Sequence, residues 1–142
     1  MTRLTLEQAN TIIEAALAEG ASQGLKPLTV SVLDAGGHVI AVQRQDGASN
    51  LRAKLAGGKA AGALALGVSS RKIGEMAIER PFFIAAVDTM GEGGMVPAAG
   101  GVIVADASGA VLGAVGVTGD TSDADEACAL AGIAAAGLKP LN

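Results

Sequence analysis

Apolar and polar residues near the start of the chain alternate with the spacing of an amphipathic helix. Apolar side chains recur at intervals of about one helical turn, at Leu6, Ala9, Ile13, Ala16 and Leu17. Thr5 and Gln8 form a capping box, in which each side chain satisfies a backbone N–H of the other residue. Gly24 fits the position just after a helix, and Pro27 prevents continuation. The pattern therefore predicts a helix that begins after Thr5 and ends before Gly24.

Four short runs rich in β-branched residues predict four strands that form two hairpins. The strands are expected at residues 28–33, 39–43, 101–105 and 110–118. The turns fall at residues 34–37 and 106–109, where glycines supply the positive φ values that tight turns need. A shorter strand is predicted around residues 95–98.

The other segments are Ala-rich or amphipathic and predict three further helices, at residues 48–66, 69–79 and 122–136. Gly137 is expected to stop the last helix, Pro81 to break the helical pattern, and residues 88–94 to form a mobile loop. One predicted helix precedes the first strand pair, two helices lie between the pairs, and one follows the second pair. This order predicts a single α+β domain, residues 1–142, with an antiparallel sheet.

Composition indicates how such a domain is held together. The 142 residues, 13.8 kDa in mass, include 30 Ala and 21 Gly but only 2 Phe and no Trp or Tyr. Bulky contacts are scarce, so we expect close backbone approach and subunit contacts to supply stability. The single cysteine, Cys128, excludes an internal disulfide and is expected to be a small buried hydrophobe.

Several classes of function are excluded by composition. No apolar run approaches about 18 residues, so no transmembrane helix is expected. No uncharged apolar leader opens the chain, which makes the cytoplasm the expected location. The net charge of −4 and the lack of stacking aromatics argue against nucleic acid as a partner.

Positive charge is concentrated in the middle of the chain. Residues 44–80 carry seven Lys or Arg against three Asp or Glu, whereas the remainder carries three against eleven. A cationic segment in an acidic protein favours an anionic small ligand. The alternative is a solvated helix face that makes ordinary ion pairs.

Lys59 is the sharpest feature of that segment. On the predicted helix it lies within an apolar stripe made of Leu55, Ala56, Gly62, Ala63 and Leu66. A buried ammonium is costly unless a carboxylate or an anionic ligand pairs with it. The alternative is an extended side chain whose ammonium reaches water at the edge of the helix.

Two further groups of residues are candidates for chemistry. His38, the one histidine, follows the hairpin glycines and is either a haem ligand or proton carrier, or a solvated turn residue. Asp125 and Glu126 follow a glycine-rich strand whose backbone donors can receive an anion. Asp123 lies in the same helical turn and is expected to cap the helix.

Motifs along most of the chain resemble those of the GlcG/HbpS family. They are the runs at residues 34–41, 44–48, 59–60, 113–119, 125–126 and 131–132. The resemblance extends from about Thr5 to Gly137 and includes the C-terminal domain of PduO proteins, a group described as haem-binding or haem-degrading. Two departures are the missing proline in residues 100–104 and Thr118 in place of the usual serine.

The resemblance implies a five-stranded antiparallel sheet flanked by helices, as an α/β sandwich, and assembly into homo-oligomers from dimers up to octamers. It also implies a small ligand, either haem or another carboxylate-bearing molecule. No other cofactor and no membrane partner are expected.

The leading hypothesis is an oligomeric, cytoplasmic protein that binds haem or another anionic molecule. Ligand contacts are expected from the following residues: Arg44, Lys59, Gly100, Gly101, Thr118, Gly119 and Glu126. His38 is the expected iron ligand. The rival hypothesis is an isomerase, hydrolase or deaminase of a carboxylate-bearing metabolite, with Lys59 or Asp125 as general acid/base and Arg44 orienting the substrate. A third is a structural or regulatory oligomer with a vestigial pocket.

Overall fold

In the computed structural model, which describes residues 3–141, five antiparallel strands form an open sheet between two layers of helices. The elements in chain order are α1 (Leu6–Ser22), β1 (Thr29–Asp34), β2 (Val39–Arg44), α2 (Arg52–Leu66), α3 (Ser70–Glu79), α4 (Pro81–Asp88), β3 (Gly101–Ala105), β4 (Val111–Thr118), α5 (Ser122–Ala135) and β5 (Lys139–Leu141). Met1, Thr2 and Asn142 of the predicted domain lie outside the described residues. The predicted α+β class and the compact single domain are confirmed.

The strands lie in the order β2-β1-β4-β3-β5. Each hairpin pairs locally, and β1 joins the two hairpins by pairing with β4 from Thr29 opposite Thr118 to Asp34 opposite Gly113. The register places alternate residues of every strand on opposite faces. No helix in the described part of the chain is long and apolar enough to cross a membrane.

One face of the sheet carries the main hydrophobic core. Helices α1 and α5 pack on each other and on this face. The core is formed by one side of each helix and by alternate strand residues, including Ile12, Ile13, Val30, Val32, Val102, Val104, Val115, Val117, Cys128 and Ile133. The periodicity of α1 predicted this buried stripe.

The other face of the sheet is covered by α2, which approaches the strands at backbone distance. A Cβ atom on Gly116 of β4 would lie 1.9 Å from the carbonyl oxygen of Ala56, and one on Gly101 of β3 would lie 2.2 Å from that of Lys59. These strand positions therefore need glycine. The close contact fixes Lys59 directly against the sheet.

Local signals in the sequence are reproduced in detail. The side chain of Thr5 accepts a hydrogen bond from the backbone N–H of Gln8, and Gln8 reciprocates, which confirms the capping box. Asp34 and Asp106 open the two hairpin turns and each accepts backbone N–H groups two and four residues later. Gly137 has a φ of 72° and follows the last helix as predicted.

Two predictions about elements are wrong. Residues 95–98 form no strand, because Met95 and Val96 pack against Gly58 and Gly62 of α2. The fifth strand is instead β5, which pairs with the edge of β3 and contains Pro140. Pro81 breaks the helical pattern as predicted, since α3 ends at Glu79, and it also begins α4 at its first turn, where a missing N–H costs nothing. Helix α2 begins at Arg52 rather than at residue 48.

Candidate functional site

Lys59 is buried in the centre of the α2 face, with 4% of its surface exposed. Its Nζ donates to the Val117 carbonyl oxygen at 2.9 Å and to Asp125 Oδ2 at 3.1 Å. Gly100 makes room for this ammonium, since a Cβ there would lie 2.8 Å from Nζ. Of the two alternatives for Lys59, the structure shows a buried side chain paired with a carboxylate.

Asp125 is as deeply buried as its partner, at 1% exposure. Its other oxygen, Oδ1, accepts the backbone N–H of Asp120 at 3.0 Å. Burial raises the pKa of the Asp125 carboxyl, and hydrogen bonds and the Lys59 charge act in the opposite direction. Burial lowers the pKa of Lys59, against the attraction of Asp125. The proposed acid/base pair is thus a satisfied interior ion pair, and neither residue lines any of the five surface cavities with the clearest definition.

Arg52, one heptad before Lys59, makes a contact that the sequence analysis missed. Its Nη1 donates to Thr118 Oγ1 at 2.7 Å, which joins the first turn of α2 to the end of β4. Thr118, a predicted ligand contact, is buried beneath this guanidinium. The seven-residue spacing from Lys59 places Arg52 on the same side of the helix, but it does not indicate which residue Arg52 contacts.

Arg44 lies elsewhere, exposed at the end of β2. It faces a cavity of about 580 Å³ between the end of α1 and the segment after β2, lined by Gly20, Ala21, Leu25, Lys26, Pro27, Arg44, Gln45 and Asp46. Arg44 of β2 pairs with Thr29 of β1, and Thr29 in turn pairs with Thr118 of β4, so Arg44 and Thr118 lie two strands apart. In the described residues, Arg44 and Lys59 therefore share no cavity, and their common role in ligand binding stays a prediction.

Glu126 is tied to the surface by an ion-pair network. Arg71 Nε contacts both carboxylate oxygens of Glu126 at 3.1 Å, and its Nη2 binds Asp123. These contacts fasten α3 to the first turn of α5. Thr121, rather than Asp123, caps α5 through its side chain. Glu126 already has a cationic partner, and its role as a ligand contact stays a prediction.

The predicted glycines differ in their surroundings. Gly100 and Gly101 are buried where the chain enters β3, and Lys59 packs against both of them. The Gly101 N–H donates to Ser70 Oγ at 2.7 Å. Gly119 lines a small cleft beside Arg52. Close packing, rather than ligand access, accounts for the first two glycines.

His38 lies at the tip of the first hairpin, with 81% of its side chain exposed. Its Nδ1 is 3.2 Å from Asp34 Oδ1, which also accepts the backbone N–H groups of Gly36 and His38. These hydrogen bonds, led by the one from the His38 backbone, lower the pKa of the Asp34 carboxyl. An anchored Nδ1 leaves Nε2 as the free nitrogen of the ring.

A cavity of about 340 Å³ adjoins this imidazole. It lies between the hairpin tip, α2 and the segment after α4, and is lined by Ala35, Gly36, Gly37, His38, Ala61, Leu64, Ala65, Gly91, Glu92, Gly93 and Gly94. Small and apolar residues of α2 form one wall. A second cavity shares Glu92–Gly94 with the first and adds Lys54.

This arrangement fits the iron and the apolar face of a haem. A histidine whose second nitrogen is held by a carboxylate is the usual form of an imidazole metal ligand. Leu64 and Ala61 offer apolar contact to a porphyrin plane. Beside His38 this lining offers only the negatively charged Glu92, which would repel the haem propionates. The positive charge that suits the propionates is that of Lys54, in the adjoining cavity. In the described residues no three His, Cys, Asp or Glu side chains form a bare metal site.

The fold and its surface cavities define a small α+β domain with open sites for small molecules. The sequence matches the family described as haem degrading protein HbpS-like over residues 4–134. The chain belongs to this HbpS-like family, which confirms the predicted resemblance.

Solved structures agree with this assignment. A double mutant of HbpS from Streptomyces reticuli is 30% identical, with a TM-score of 0.80 over 94% of this chain and 87% of that one. The ORFY protein of Klebsiella pneumoniae is 23% identical, with a TM-score of 0.85 over 96% and 92%. A PduOC–haem complex is 21% identical, with a TM-score of 0.86 over 99% and 100%. The last two share the fold. A comparison with curated protein sequences gives no match.

Proposed function

We propose that this protein binds haem, with His38 Nε2 as the ligand that would hold the iron. The observation that carries the proposal is the imidazole held by Asp34 at the mouth of an apolar-walled cavity. The description of the HbpS-like family and the PduOC–haem complex support the same ligand. Bound haem would supply a redox-active iron centre.

The residues around His38 each have a defined part in this proposal. Asp34 orients the ring and directs the free nitrogen outward. Gly36 lies so close that a Cβ there would come within 3.0 Å of the ring atoms of His38. The wall formed by Leu64 and Ala65 excludes water from the face of the ligand.

The test is a haem titration of the purified full chain, followed by the Soret absorption. The wild-type protein should develop a shifted, saturable Soret band. His38→Ala should weaken haem affinity by at least about tenfold and alter the band, because the iron ligand is lost. Asp34→Asn should give a smaller loss, since the amide oxygen still accepts but carries no charge.

Gln43→Ala is the matched control, because Gln43 is an exposed residue of the same hairpin that lines none of the described cavities. It should bind haem as the wild type does. Unchanged spectra in His38→Ala, or no saturable band in the wild type, would contradict the proposal.

A further inference from the structure

Arg52 carries a positive charge that no carboxylate neutralises. In residues 3–141, the one hydrogen-bond partner of its side chain is the neutral hydroxyl of Thr118, and no Asp or Glu lies within ion-pair distance. The Nε–Nη2 edge of the guanidinium is left without a protein acceptor. Arg52 is also half-buried, so water only partly replaces those missing contacts.

Two carboxylates that follow β4, Asp120 and Asp125, already have hydrogen-bond partners. Asp125 is paired with Lys59. Burial lowers the pKa of Lys59, and the positive charge of Arg52 lowers it further, so the two cations interact. Asp120 directs its two oxygens to the backbone N–H groups of Lys26 and Thr121. Counted with Lys26, three cations stand against two carboxylates at the end of β4, a net charge of +1, and the Asp120 carboxylate interacts with the charge of Lys26.

A cleft of about 200 Å³ opens at this position. Arg52 and Lys26 are its cationic residues, and Ser49, Gly47 and Gly119 complete much of the wall. Its volume suits a molecule of a few heavy atoms and cannot enclose a porphyrin. The cleft shares no lining residue with the cavity beside His38.

We propose that this cleft binds a small organic carboxylate, in the size range from acetate to succinate. The free Nε–Nη2 edge of Arg52 matches the two oxygens of a carboxylate, a planar pairing that a guanidinium makes better than an ammonium. Lys26 supplies the second positive charge, which attracts a dicarboxylate more strongly. Thr118 fixes the orientation of the guanidinium by accepting from its other edge.

Calorimetric titration of the haem-free full chain with potassium acetate, malonate and succinate, at constant ionic strength, tests the site. Saturable binding is expected, with a dicarboxylate tighter than acetate. Arg52→Gln should weaken it by at least about tenfold. Arg52→Lys should lose about threefold or more, because the charge is kept but the planar fork is lost.

Lys72→Gln is the control, since it removes one positive charge from an exposed residue of α3 that lies outside the cleft. Its affinity should stay within about twofold of the wild type. His38→Ala should bind the carboxylate normally, so failure of the haem proposal leaves this result unaffected. Equal losses in Arg52→Gln and Lys72→Gln would overturn the site, because the attraction would then be diffuse.

Amide chemical shifts of the wild-type protein give a test that needs no variant. Succinate should move the Ser49 and Gly119 resonances and leave Gly109, in the distant β3–β4 turn, in place. Uniform small shifts or none would contradict the proposal. Tighter binding of inorganic phosphate than of succinate would overturn the assignment to carboxylates.

Discussion

At the scale of single residues, Lys59 shows how a charge is kept inside a small core. Its ammonium has a carbonyl and a carboxylate as acceptors, and the carboxylate has a backbone N–H on its second oxygen. A buried pair of this kind contributes little to the free energy of folding, because the cost of desolvating both charges offsets their attraction. Losing one partner is far more costly, since the other charge is then stranded.

Lys59→Met is therefore expected to destabilise the fold by ~3–5 kcal/mol at pH 7. Urea unfolding followed by circular dichroism measures this, since the chain has no Trp or Tyr for fluorescence. The double variant Lys59→Met/Asp125→Asn should recover a large part of the loss, because the stranded carboxylate is gone. A double variant as unstable as the sum of the single ones would show that the two residues are not coupled.

Cys128 gives a prediction with a defined pH range. Burial, together with the charges of Glu19, Asp125 and Asp120, raises the pKa of this thiol from 9.0 to about 11. The unfolded chain therefore loses the thiol proton at a lower pH than the folded protein does. Stability should fall as pH rises from about 9 to about 11, by roughly 2–3 kcal/mol at about 1.4 kcal/mol per pKa unit.

The comparison for this pH range is Cys128→Ala, measured by urea unfolding at pH 8 and pH 11. The variant should be less stable than the wild type at pH 8, but its free energy of unfolding should fall less between pH 8 and pH 11. Lysines that titrate in this range do so in both proteins, so they cancel. Parallel pH profiles would exclude a shifted thiol.

At the scale of elements, α2 and the sheet are joined through glycines. Gly116→Ala is expected to cost at least ~3 kcal/mol or to prevent folding, since its Cβ would meet the Ala56 carbonyl oxygen at 1.9 Å. Gly57→Ala, on α2 itself, has nothing within 4 Å of its Cβ and should stabilise the helix by ~0.5–1 kcal/mol. Thermal unfolding of the two variants distinguishes close packing from helix propensity. Similar midpoints for both would contradict this account.

The elements also show which signals are local enough to read from sequence. The capping box at Thr5 and the Asp-to-Gly turns involve residues within four positions of each other, so their geometry follows from their identity. β5 has no such signal, because a three-residue strand with Pro140 forms only when β3 presents a free edge. The residues at 95–98 are β-prone in isolation, but α2 offers them a packing surface instead of a partner strand.

At the scale of the whole molecule, α4 leaves an apolar surface uncovered. Within the described chain it packs mainly on α3. Phe82 is 90% exposed, and Ile78 and Met90 are also largely exposed. Phe83 is partly covered by the guanidinium of Arg80, 4.1 Å from its ring centroid. Exposed aromatic side chains grouped on one helix are typical of a surface that associates.

We therefore expect the predicted homo-oligomer to depend on this surface. Light scattering coupled to size exclusion should give a multiple of 13.8 kDa for the wild type. Ile78→Ser/Phe82→Ser should reduce the mass toward that of one chain, whereas Val111→Thr, at an exposed apolar residue at the start of β4, should not. A monomeric wild type, or an unchanged mass in the double variant, would contradict the prediction. The cytoplasmic location likewise stays a prediction.

The amino-acid sequence by itself determined the class of fold, the two hairpins and most helix positions, because caps, turns and hydrophobic periodicity act over a few residues. Its motifs also carried the resemblance to the HbpS-like family. The sequence also singled out Lys59 as a lysine within an apolar stripe. Only the tertiary structure decided the partners. Lys59 meets Asp125, and Arg52 meets Thr118, each across 66 residues of chain. Such contacts arise from the packing of α2 on the sheet, and no local pattern encodes which distant group will stand opposite.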